Sequence, residues 1–483
     1  MHLVEITSEN APSLTLPLLG RELVCFFASA SVLIILCSFI AGCASLPNIS
    51  PMIDDAPISQ KPHKIMTSKG QLSTKQSAAV MTRLKRSVAQ TDVLDRLTPV
   101  VESVTDSPLT RGNRVSLLND GPAAYAAMFT AIRHAKDHIN LESYIIEDDE
   151  TGKKFADLLL KKRAEGIQVA LIYDCMGSIN TPESFFQRLR DGGIQVVGFN
   201  PLNPLKAREQ WDLTHRDHRK ILIIDGKLAI IGGINISRVY SSIPLIRKKH
   251  GAKPIHWRDT DIQIEGPAVA ELQKLFITTW QRQAGGTLSG RAYFPTVKES
   301  GSALVRVIGS TEGEKNRIPF IVYVSAITFA EHSVHMTNSY FIPDTQILKA
   351  LTDAAKRGVD VKIILPGITD SSLALHAQRH YYAELLQAGV QIYEHSTSLL
   401  HAKTIVIDNV WSTVGSTNMD YLSLLNNDEV NALILNHDFS VQMEKMFAHD
   451  LANSRRIEPH EWEQRDMLPR VREWFISLFG RLL

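Results

Sequence analysis

With 483 residues, 44% of them hydrophobic and 21% charged, the chain can form two domains with full cores and has an ordinary globular composition. Its formal net charge of +1 excludes a global attraction to nucleic acid, so anion binding has to be local, for example at the basic segment 247–253. Of the four cysteines, Cys25, Cys37 and Cys43 lie near the N-terminus and only Cys175 lies in the body, which excludes a disulfide framework.

The N-terminal segment predicts attachment to a bacterial membrane. Residues 23–42 carry no charged side chain, and a segment of this length is enough to span a bilayer. The residues IAGC at 40–43 also resemble a lipoprotein processing site, in which Cys43 would carry the lipid. We therefore expect residues 1–43 to form either a helix retained in the inner membrane or a signal that leaves a lipid anchor on Cys43.

Residues 44–110 are predicted to be a polar tether, because they are rich in Ser, Pro, Thr and Lys and contain one amphipathic helix at about 76–104. Further along the chain, apolar β-branched runs such as VALIYD (169–174) and VKIILPG (361–367) follow helical patterns that end at a glycine. Helices that alternate with such strands predict the α/β class, with a sheet that is covered on its faces.

The first chemical motif is HRKILIID, which begins at His218 and opens an apolar run. Side chains alternate along a strand, so His218 and Lys220 share one face, whereas Asp225 has the opposite parity. Asp225 is followed by Gly226, a pair that predicts a hairpin turn, and the returning strand would bring Asn235 near His218. A single copy of this pattern is equally compatible with an ordinary hairpin that carries a surface histidine.

A second copy of the motif, HAKTIVID, begins at His401. It places Lys403, Asp408 and Asn418 at the same spacings, and the flanking helix and strand patterns repeat as well. We interpret this as an internal duplication of roughly 180–195 residues, which is too long for a solenoid repeat and suits two domains. The predicted domains are residues 111–295 and 296–483.

If the two domains pack about a pseudo-twofold axis, their histidine–lysine faces meet in one cleft together with the two asparagines. Lysine and asparagine side chains can bind the nonbridging oxygens of a phosphodiester and stabilise the charge that develops on phosphorus. One imidazole can attack while the other protonates the leaving alkoxide, and this chemistry needs no metal. A zinc site at His215 and His218 is disfavoured, because residues three apart on a strand face opposite sides.

Each reacting imidazole also needs an acceptor that orients its far nitrogen. Two carboxylates are candidates, because each opens a strand that follows one of the two asparagines. These are Asp259 in the first domain and Glu429 in the second. The alternative is that both carboxylates lie at the ends of their strands and are simply solvated at a rim.

The paired motifs resemble those of the phospholipase D superfamily, and the resemblance covers about residues 112–483. The blocks LESYIIEDDETGKKF, WRDTDIQIEGPAV and HAKTIVIDNVWSTVGSTNMDYLSLLNNDEVN are similar to those of bacterial cardiolipin synthases. This resemblance implies a membrane-associated phosphatidyltransferase that acts on phosphatidylglycerol and uses no cofactor or metal. It also implies that His218 forms a phosphatidyl-histidine intermediate and that His401 acts as general acid and then as base.

The predicted site follows from the motifs and the resemblance together. Because of their opposite parity, the two motif aspartates are expected to affect folding first. Asp259 and Glu429 are predicted to orient the histidines, and Ser416 to contact the substrate. The catalytic set is His218, Lys220, Asp225, Asn235, His401, Lys403, Asp408 and Asn418.

Two departures from the subfamily leave alternatives open. Leu422 stands where many members have arginine, which bears on the acceptor, and one membrane segment stands where many have two. A hydrolase or a nuclease of the same superfamily would use the same groups with water as acceptor. We expect no nucleic-acid partner, because the sequence has no extended basic groove. A noncatalytic membrane scaffold is disfavoured, because both motifs are intact.

The C-terminal residues predict an amphipathic helix. Apolar residues recur there at helical spacing, with arginines beside them, which is the pattern of a helix that lies in an anionic interface. A helix docked on the protein core would give the same pattern. The apolar positions are Val471, Trp474, Phe475, Leu478 and Leu482.

Overall fold

The computed structural model describes residues 46–54, 63–88, 91–203, 212, 214–241, 256–311 and 317–482. The predicted membrane segment 23–42 and the basic segment 247–253 lie outside the described residues. Within the described ranges, no helix is both long enough and apolar enough to cross a membrane. The residues from Leu46 onward form one compact unit.

The segment that precedes the body forms secondary structure and packs on it. Its elements are α1 (Ser50–Asp54), β1 (Ile65–Thr67), β2 (Gly70–Gln71), α2 (Thr74–Lys85) and α3 (Val93–Val104). Ile65, Val93 and Leu97 are buried in the same hydrophobic core as the second half of the chain. The prediction of a tether is therefore wrong for residues 63–104, and the helix predicted at 76–104 is two helices. The amphipathic pattern indicated an apolar stripe, but the polar composition gave no sign that this stripe packs on the body.

The first half of the body alternates strands and helices. Its elements are β3 (Leu109–Leu118), α4 (Gly121–His134), β4 (His138–Ser143), α5 (Glu150–Ala164), β5 (Gln168–Asp174), α6 (Glu183–Asp191), β6 (Gln195–Phe199), β7 (Lys220–Ile224), β8 (Leu228–Gly232), β9 (Trp257–Arg258), β10 (Asp261–Glu265) and α7 (Val269–Arg282). Helices α4 and α5 begin where the side chains of Asp120 and Asp149 accept N–H bonds from the first turn. The strand order is β6-β5-β4-β7-β8-β10-β3, with β4, β5 and β6 parallel.

The second half repeats this order. Its elements are β11 (Ala303–Ser310), α8 (Ile318–Phe329), β12 (Ser333–Thr337), α9 (Thr345–Lys356), β13 (Asp360–Pro366), α10 (Ser372–His380), α11 (Tyr382–Gln387), β14 (Gln391–His395), β15 (Leu399–Leu400), β16 (Thr404–Ile407), β17 (Trp411–Gly415), β18 (Glu429–Leu435), α12 (His437–Ala452), β19 (Ser454–Arg456), α13 (Pro459–Glu463) and α14 (Met467–Ser477). The strand order is β14-β13-β12-β16-β17-β18-β11, with β12, β13 and β14 parallel, so each strand has a counterpart in the first half.

The two halves share one sheet and one core. Strands β3 and β11 pair antiparallel, with Ala303 opposite Asn113, and so join the two strand arrays. A hydrophobic cluster between the halves contains Ile221 and Ile231 of the first half and Val414 of the second. The mixed α/β fold predicted from the sequence is confirmed, and the shared core holds the two motif strands, β7 and β16, in a fixed relation.

Each motif strand ends at a turn held by the motif aspartate. Asp225 has a φ of 54° and Asp408 a φ of 50°, and both are non-glycine residues in the left-handed region, which aspartate tolerates better than most residues. The Asp225 carboxylate accepts N–H bonds from residues 136, 137 and 138, at 2.8–3.0 Å. The Asp408 carboxylate accepts N–H bonds from residues 331, 332 and 333. Both aspartates therefore fasten a hairpin turn to the loop before β4 or β12.

We predict that Asp225→Ala destabilises the fold. The substitution leaves three backbone N–H groups without their acceptor. A hydrogen bond to a charged group contributes about 1.5–3 kcal/mol, but these N–H groups are exposed or only partly buried and water can replace part of what is lost, so we expect a total loss of about 2–4 kcal/mol of unfolding free energy. Asp225→Asn is the matched control, because asparagine keeps one acceptor oxygen and tolerates positive φ. Denaturant unfolding of the purified protein measures both, and an unchanged midpoint for Asp225→Ala would contradict the prediction.

Candidate active site

The two motif histidines line one cavity between the halves of the chain. The cavity has a volume of about 560 Å³, and its lining includes His218 and Asn235 from the first half and His401 and Asn418 from the second. His218 lies two residues before β7 and His401 lies three residues before β16, so each histidine lies at the entry of a buried strand. The structure thus brings together the two faces that the spacing predicted.

Each histidine is oriented by a carboxylate from the other half. His218 Nδ1 lies 3.0 and 3.1 Å from the two carboxylate oxygens of Glu429. His401 Nδ1 lies 2.7 Å from Asp259 Oδ2. Both predicted carboxylates are fully buried and neither is solvated at a rim. Because Nδ1 of each ring faces a carboxylate, the Nδ1–H tautomer is favoured and leaves the Nε2 lone pair available for chemistry.

Backbone bonds between the halves hold each histidine beside its carboxylate. The His218 N–H donates to the carbonyl of Asp428, at 2.9 Å, and the Asp428 N–H donates to the carbonyl of Arg216. On the other side, β9 and β15 pair in parallel, and the His401 N–H donates to the carbonyl of Arg258 at 2.8 Å. In both cases the bonded residue directly precedes the orienting carboxylate. The dyads are therefore set by main-chain geometry, which is the kind of preorganisation that catalysis needs.

The two motif lysines are buried beside the histidines. The ammonium of Lys220 donates to the carbonyl of His218, and that of Lys403 donates to the carbonyl of His401. Burial lowers the pKa of Lys220 to about 7 and that of Lys403 to about 8, although nearby carboxylates oppose the shift. Two partly desolvated ammonium groups next to one cavity are suited to an anionic ligand, whose charge favours their protonated forms.

Burial also lowers the pKa of both imidazoles. The pKa of His218 falls because of burial, with Glu429 opposing the change. The pKa of His401 falls because of burial and because of the Lys403 ammonium, with Asp259 opposing. Without substrate, both rings are therefore neutral near pH 7, and a neutral ring is the nucleophilic form.

The two asparagines line the cavity, whereas Ser416 lies behind it. Asn235 is fixed by Ile145 N–H and Tyr240 OH, both at 3.0 Å, and the oxygen of Asn418 accepts from Ser339 OH at 2.7 Å. Ser416 was predicted to contact the substrate. The structure corrects this prediction, because Ser416 is fully buried and its hydroxyl donates to the Glu429 carboxylate.

The first half has a glycine where the second has Ser416. This residue is Gly233, and a Cβ at that position would lie 2.2 Å from Asp259 Oδ1. The longer Glu429 carboxylate thus has a hydroxyl partner, whereas the shorter Asp259 carboxylate occupies the space that a side chain would need. The two dyads thus occupy equivalent positions in the two halves, but only the Glu429 carboxylate accepts a hydrogen bond from a serine hydroxyl at this position.

The structure also changes the place of the motif aspartates. Asp225 and Asp408 lie just beyond the far ends of β7 and β16, seven residues along the chain from the histidines, a separation of up to about 23 Å at roughly 3.3 Å per residue. Neither lines the cavity. We therefore remove both aspartates from the catalytic set and assign them the structural role of fastening the hairpin turns. His215 bonds through Nε2 to Asp428 at 2.7 Å, so the H-x-x-H spacing does not form a ligand pair with His218.

Several residues that the motifs did not indicate also line the cavity. Tyr144 and Tyr340 hold matching places after β4 and β12, and the Tyr340 hydroxyl donates to Asp370 at 2.7 Å. Burial raises the pKa of Asp420 to about 7. The repeated S-Y dipeptide in LESYII and TNSYFI was a usable signal for the tyrosines. No sequence signal indicated Asp370, because it lies in the loop after β13 and no repeated motif marks that loop. The remaining cavity residues include Trp257, Met176, Ile179, Ala374, Leu422 and Leu482.

Two histidine–carboxylate dyads, two lysines and two asparagines at the interface of repeated α/β halves define a phosphotransfer enzyme of the phospholipase D type. Comparison with known proteins agrees. Residues 128–242 and 323–451 match the family described as "Cardiolipin synthase, PLD-like domain". The cardiolipin synthase of Halalkalibacterium halodurans is 34% identical over 386 residues, 79% of this chain and 74% of that protein. The cardiolipin synthase of Listeria monocytogenes serotype 4a is 35% identical over 78% of this chain and 76% of that protein.

The chain belongs to the cardiolipin synthase family of phospholipase D-like enzymes, as the motif resemblance predicted, and it is a phosphatidyltransferase. A solved structure agrees at the level of the fold. The phosphatidylserine synthase of Haemophilus influenzae Rd KW20 superposes with a TM-score of 0.61 and 14% sequence identity, over 80% of this chain and 97% of that chain.

We predict that Glu429→Gln reduces kcat by about 10³–10⁴-fold, because the neutral amide no longer stabilises the charge that develops on His218. Ser416→Ala is the graded comparison. It removes one hydrogen bond to Glu429, worth about 1 kcal/mol, and should cost about fivefold in kcat. Turnover of phospholipid in detergent micelles measures both effects, with circular dichroism to verify folding. Equal losses of kcat in the two variants would contradict the prediction that Glu429 contributes much more than the hydroxyl of Ser416.

We predict that kcat/KM falls as the pH rises through about 7–8. A lysine is charged below its pKa and neutral above it. In the free enzyme, burial lowers the pKa of Lys220 to about 7 and the pKa of Lys403 to about 8. In Lys220→Arg the guanidinium stays protonated, so the alkaline limb should move to higher pH even if the maximal rate is lower. An alkaline limb at the same pH in both proteins would show that Lys220 does not set it.

Proposed function

We propose that this protein synthesises cardiolipin by moving a phosphatidyl group from one phosphatidylglycerol to a hydroxyl of another. The observation that supports the proposal best is the crossed pair of dyads at one cavity, with both lysines adjacent, in a chain of the cardiolipin synthase family. Two imidazoles at one site allow a single difficult displacement to be divided into two easier ones.

In the first step, His218 Nε2 attacks the phosphorus of phosphatidylglycerol. The bond between phosphorus and the headgroup glycerol oxygen breaks, and His401 gives its proton to that oxygen, so that free glycerol leaves and phosphatidyl-His218 remains. The lowered pKa of His401 without substrate is compatible with this role, because the negative phosphodiester favours the imidazolium form once it is bound.

In the second step, the now neutral His401 removes the proton from a hydroxyl of a second phosphatidylglycerol. The resulting oxygen attacks phosphorus, the bond between phosphorus and His218 Nε2 breaks, and cardiolipin leaves. Both histidines return to their initial protonation states, so the cycle consumes no other reactant. Glu429 and Asp259 hold the rings in one tautomer through both steps.

Lys220, Lys403, Asn235 and Asn418 are proposed to bind the nonbridging oxygens of the phosphate. The lysines can turn to the ligand from the carbonyl oxygens that they contact without it. Charge stabilisation by one such donor typically contributes 10²–10³ in rate, about 3–4 kcal/mol of barrier. No metal enters these steps, and the groups named here are sufficient for the charge that develops.

The proposal includes the arrangement of the whole chain. Two phospholipase D-like domains, residues 111–295 and 296–483, pack about a pseudo-twofold axis, which their matching strand orders support. Residues 1–43 attach the enzyme to a bacterial membrane, through the apolar segment 23–42 or through a lipid on Cys43. The uncharged length of that segment supports attachment.

Product analysis tests the function directly. The purified full chain is incubated with labelled phosphatidylglycerol, alone and with added phosphatidylethanolamine or glycerol, and the lipid products are separated. Cardiolipin and free glycerol in equal amounts are expected from phosphatidylglycerol alone. Phosphatidic acid as the main product would mean that water is the acceptor and that the enzyme is a hydrolase.

We predict that the two histidine variants separate the roles of the rings. The test substrate is phosphatidyl-p-nitrophenol, whose leaving group needs no proton. His401→Ala should release about one equivalent of p-nitrophenolate in a burst and then stall, because the acceptor hydroxyl is not activated. His218→Ala should give no burst. Mass spectrometry of the stalled protein should find the phosphatidyl group on His218. A burst that occurs in His218→Ala and not in His401→Ala would mean that the two roles are assigned the wrong way round.

A further inference from the structure

Exposed apolar side chains are concentrated in the C-terminal part of the structure. Among the described residues, eleven large hydrophobic side chains are exposed, and nine of these lie in three segments. The first segment is α14 with the residues that follow it, and it contributes six. These are Met467, Leu468, Val471, Trp474, Leu478 and Leu482. A concentration of exposed apolar side chains of this kind marks a site of interaction.

The other two segments lie at the cavity itself. Met176 and Ile179, in the loop after β5, are exposed and line the cavity, as does Leu482. Leu373 is exposed at the start of α10, and its neighbour Ala374 lines the cavity. Helix α10 in turn packs against α14. Two of these segments therefore reach the rim of the active site at the C-terminal side, one through Leu482 and the other through Ala374.

One face of helix α14 packs on the body, and the opposite face is exposed to solvent. Ile476 packs with residues of α10, and the buried carboxylate of Glu473 forms an ion pair with Arg465 at 2.7 Å. The interpretation of the tail as a helix docked on the core thus holds for one face, and the interfacial interpretation stays a prediction for the exposed face. On the outer face, Leu468 is 80% exposed and Trp474 is 53% exposed, although the helix is fixed to the body.

We infer that this surface, formed by α14, the start of α10 and the loop at 176–179, docks on an anionic phospholipid bilayer with the cavity mouth against the headgroups. The inference rests on the proposed function, because a lipid substrate must reach the cavity from a membrane. Charge supports the same partner. Arg470 and Arg472 are the exposed charged residues within α14, and Arg481 is exposed beyond it, so a cationic fringe surrounds the apolar positions.

This docking differs from attachment through the N-terminal segment. An anchor keeps the enzyme near the membrane and leaves its orientation free, whereas a surface at the rim fixes which side of the body faces the lipid. A second copy of the chain is the other occupant that such a surface could accept. An oligomer would not need the arginine fringe, and it would cover the mouth through which the lipid has to enter.

The test compares two substrates in the full chain. The test variant carries Leu468→Asp and Val471→Asp, and the matched control carries Phe294→Asp, which changes an exposed apolar side chain (54%) outside the three segments. None of these residues lines the cavity. With phosphatidylglycerol in anionic vesicles, the double variant should lose tenfold or more in turnover. With a short-chain, monomeric phosphatidylglycerol, it should stay within twofold of the wild type, and the control should match the wild type on both.

A second readout does not depend on activity. Trp474 fluorescence should be quenched by vesicles that contain brominated lipids, and Trp474→Phe should remove that quenching. If no substrate is turned over but the quenching is present, the proposed function fails and the docking surface stands. The docking inference is overturned if vesicle turnover is unchanged in the double variant, if both substrates lose equally, or if quenching is absent while the protein sediments as a dimer that the double variant dissociates.

Discussion

The candidate site depends on one constraint, which is that each motif histidine takes its orienting carboxylate from the opposite half of the chain. His218 contacts Glu429, and His401 contacts Asp259. A half that folded alone would therefore contain a buried lysine and a histidine without its partner. The shared sheet through β3 and β11 and the common core give the packing that closes both dyads at once. The interface between the two halves therefore forms the candidate active site.

Burial of cationic groups follows from this arrangement. Lys220 is 3% exposed and Lys403 is 2% exposed, and removing an ammonium group from water disfavours its charged form. The acidic dyads limit this penalty, and a bound phosphodiester would reduce it further. A cavity of this design binds an anion more strongly than a hydrated site would, because its charges interact in a medium of lower dielectric constant. Affinity for phosphate and loss of the ammonium charge in the empty site as the pH rises are two results of the same burial.

The sequence predicted the parts of the site that depend on local geometry. Parity along an extended chain placed His218 and Lys220 together and Asp225 apart. The structure agrees, because His218 and Lys220 lie at the entry of β7 and Asp225 lies in the turn beyond its far end. The strand-opening positions of Asp259 and Glu429 also indicated the orienting carboxylates. Which histidine each carboxylate serves could not be predicted, because it depends on how two halves pack and not on any spacing within one of them.

The failures of prediction have equally local causes. Composition over residues 44–110 suggested a tether, yet α3 buries seven of its twelve residues. The amphipathic pattern indicated an apolar stripe, but a pattern within one segment does not show which distant core the stripe packs on. Ser416 was assigned to the substrate because the motif contains it. Its hydroxyl instead supports Glu429, and only the backbone of β17 and β18 determines that direction.

The two dyads have equivalent backbones and unequal surroundings. Arg219, between the first histidine and its lysine, is fully buried and lies 3.6 Å from the carboxylates of Glu142 and Asp428, while its Nε donates to the backbone carbonyl of residue 429. The corresponding residue beside the second histidine is Ala402, which offers no such network. A group that is covalently modified has to keep its position through two successive displacements, whereas a proton carrier needs only to reach the oxygen. The charged network around His218 therefore fits the nucleophile, and the simpler surroundings of the second histidine fit the acid and base.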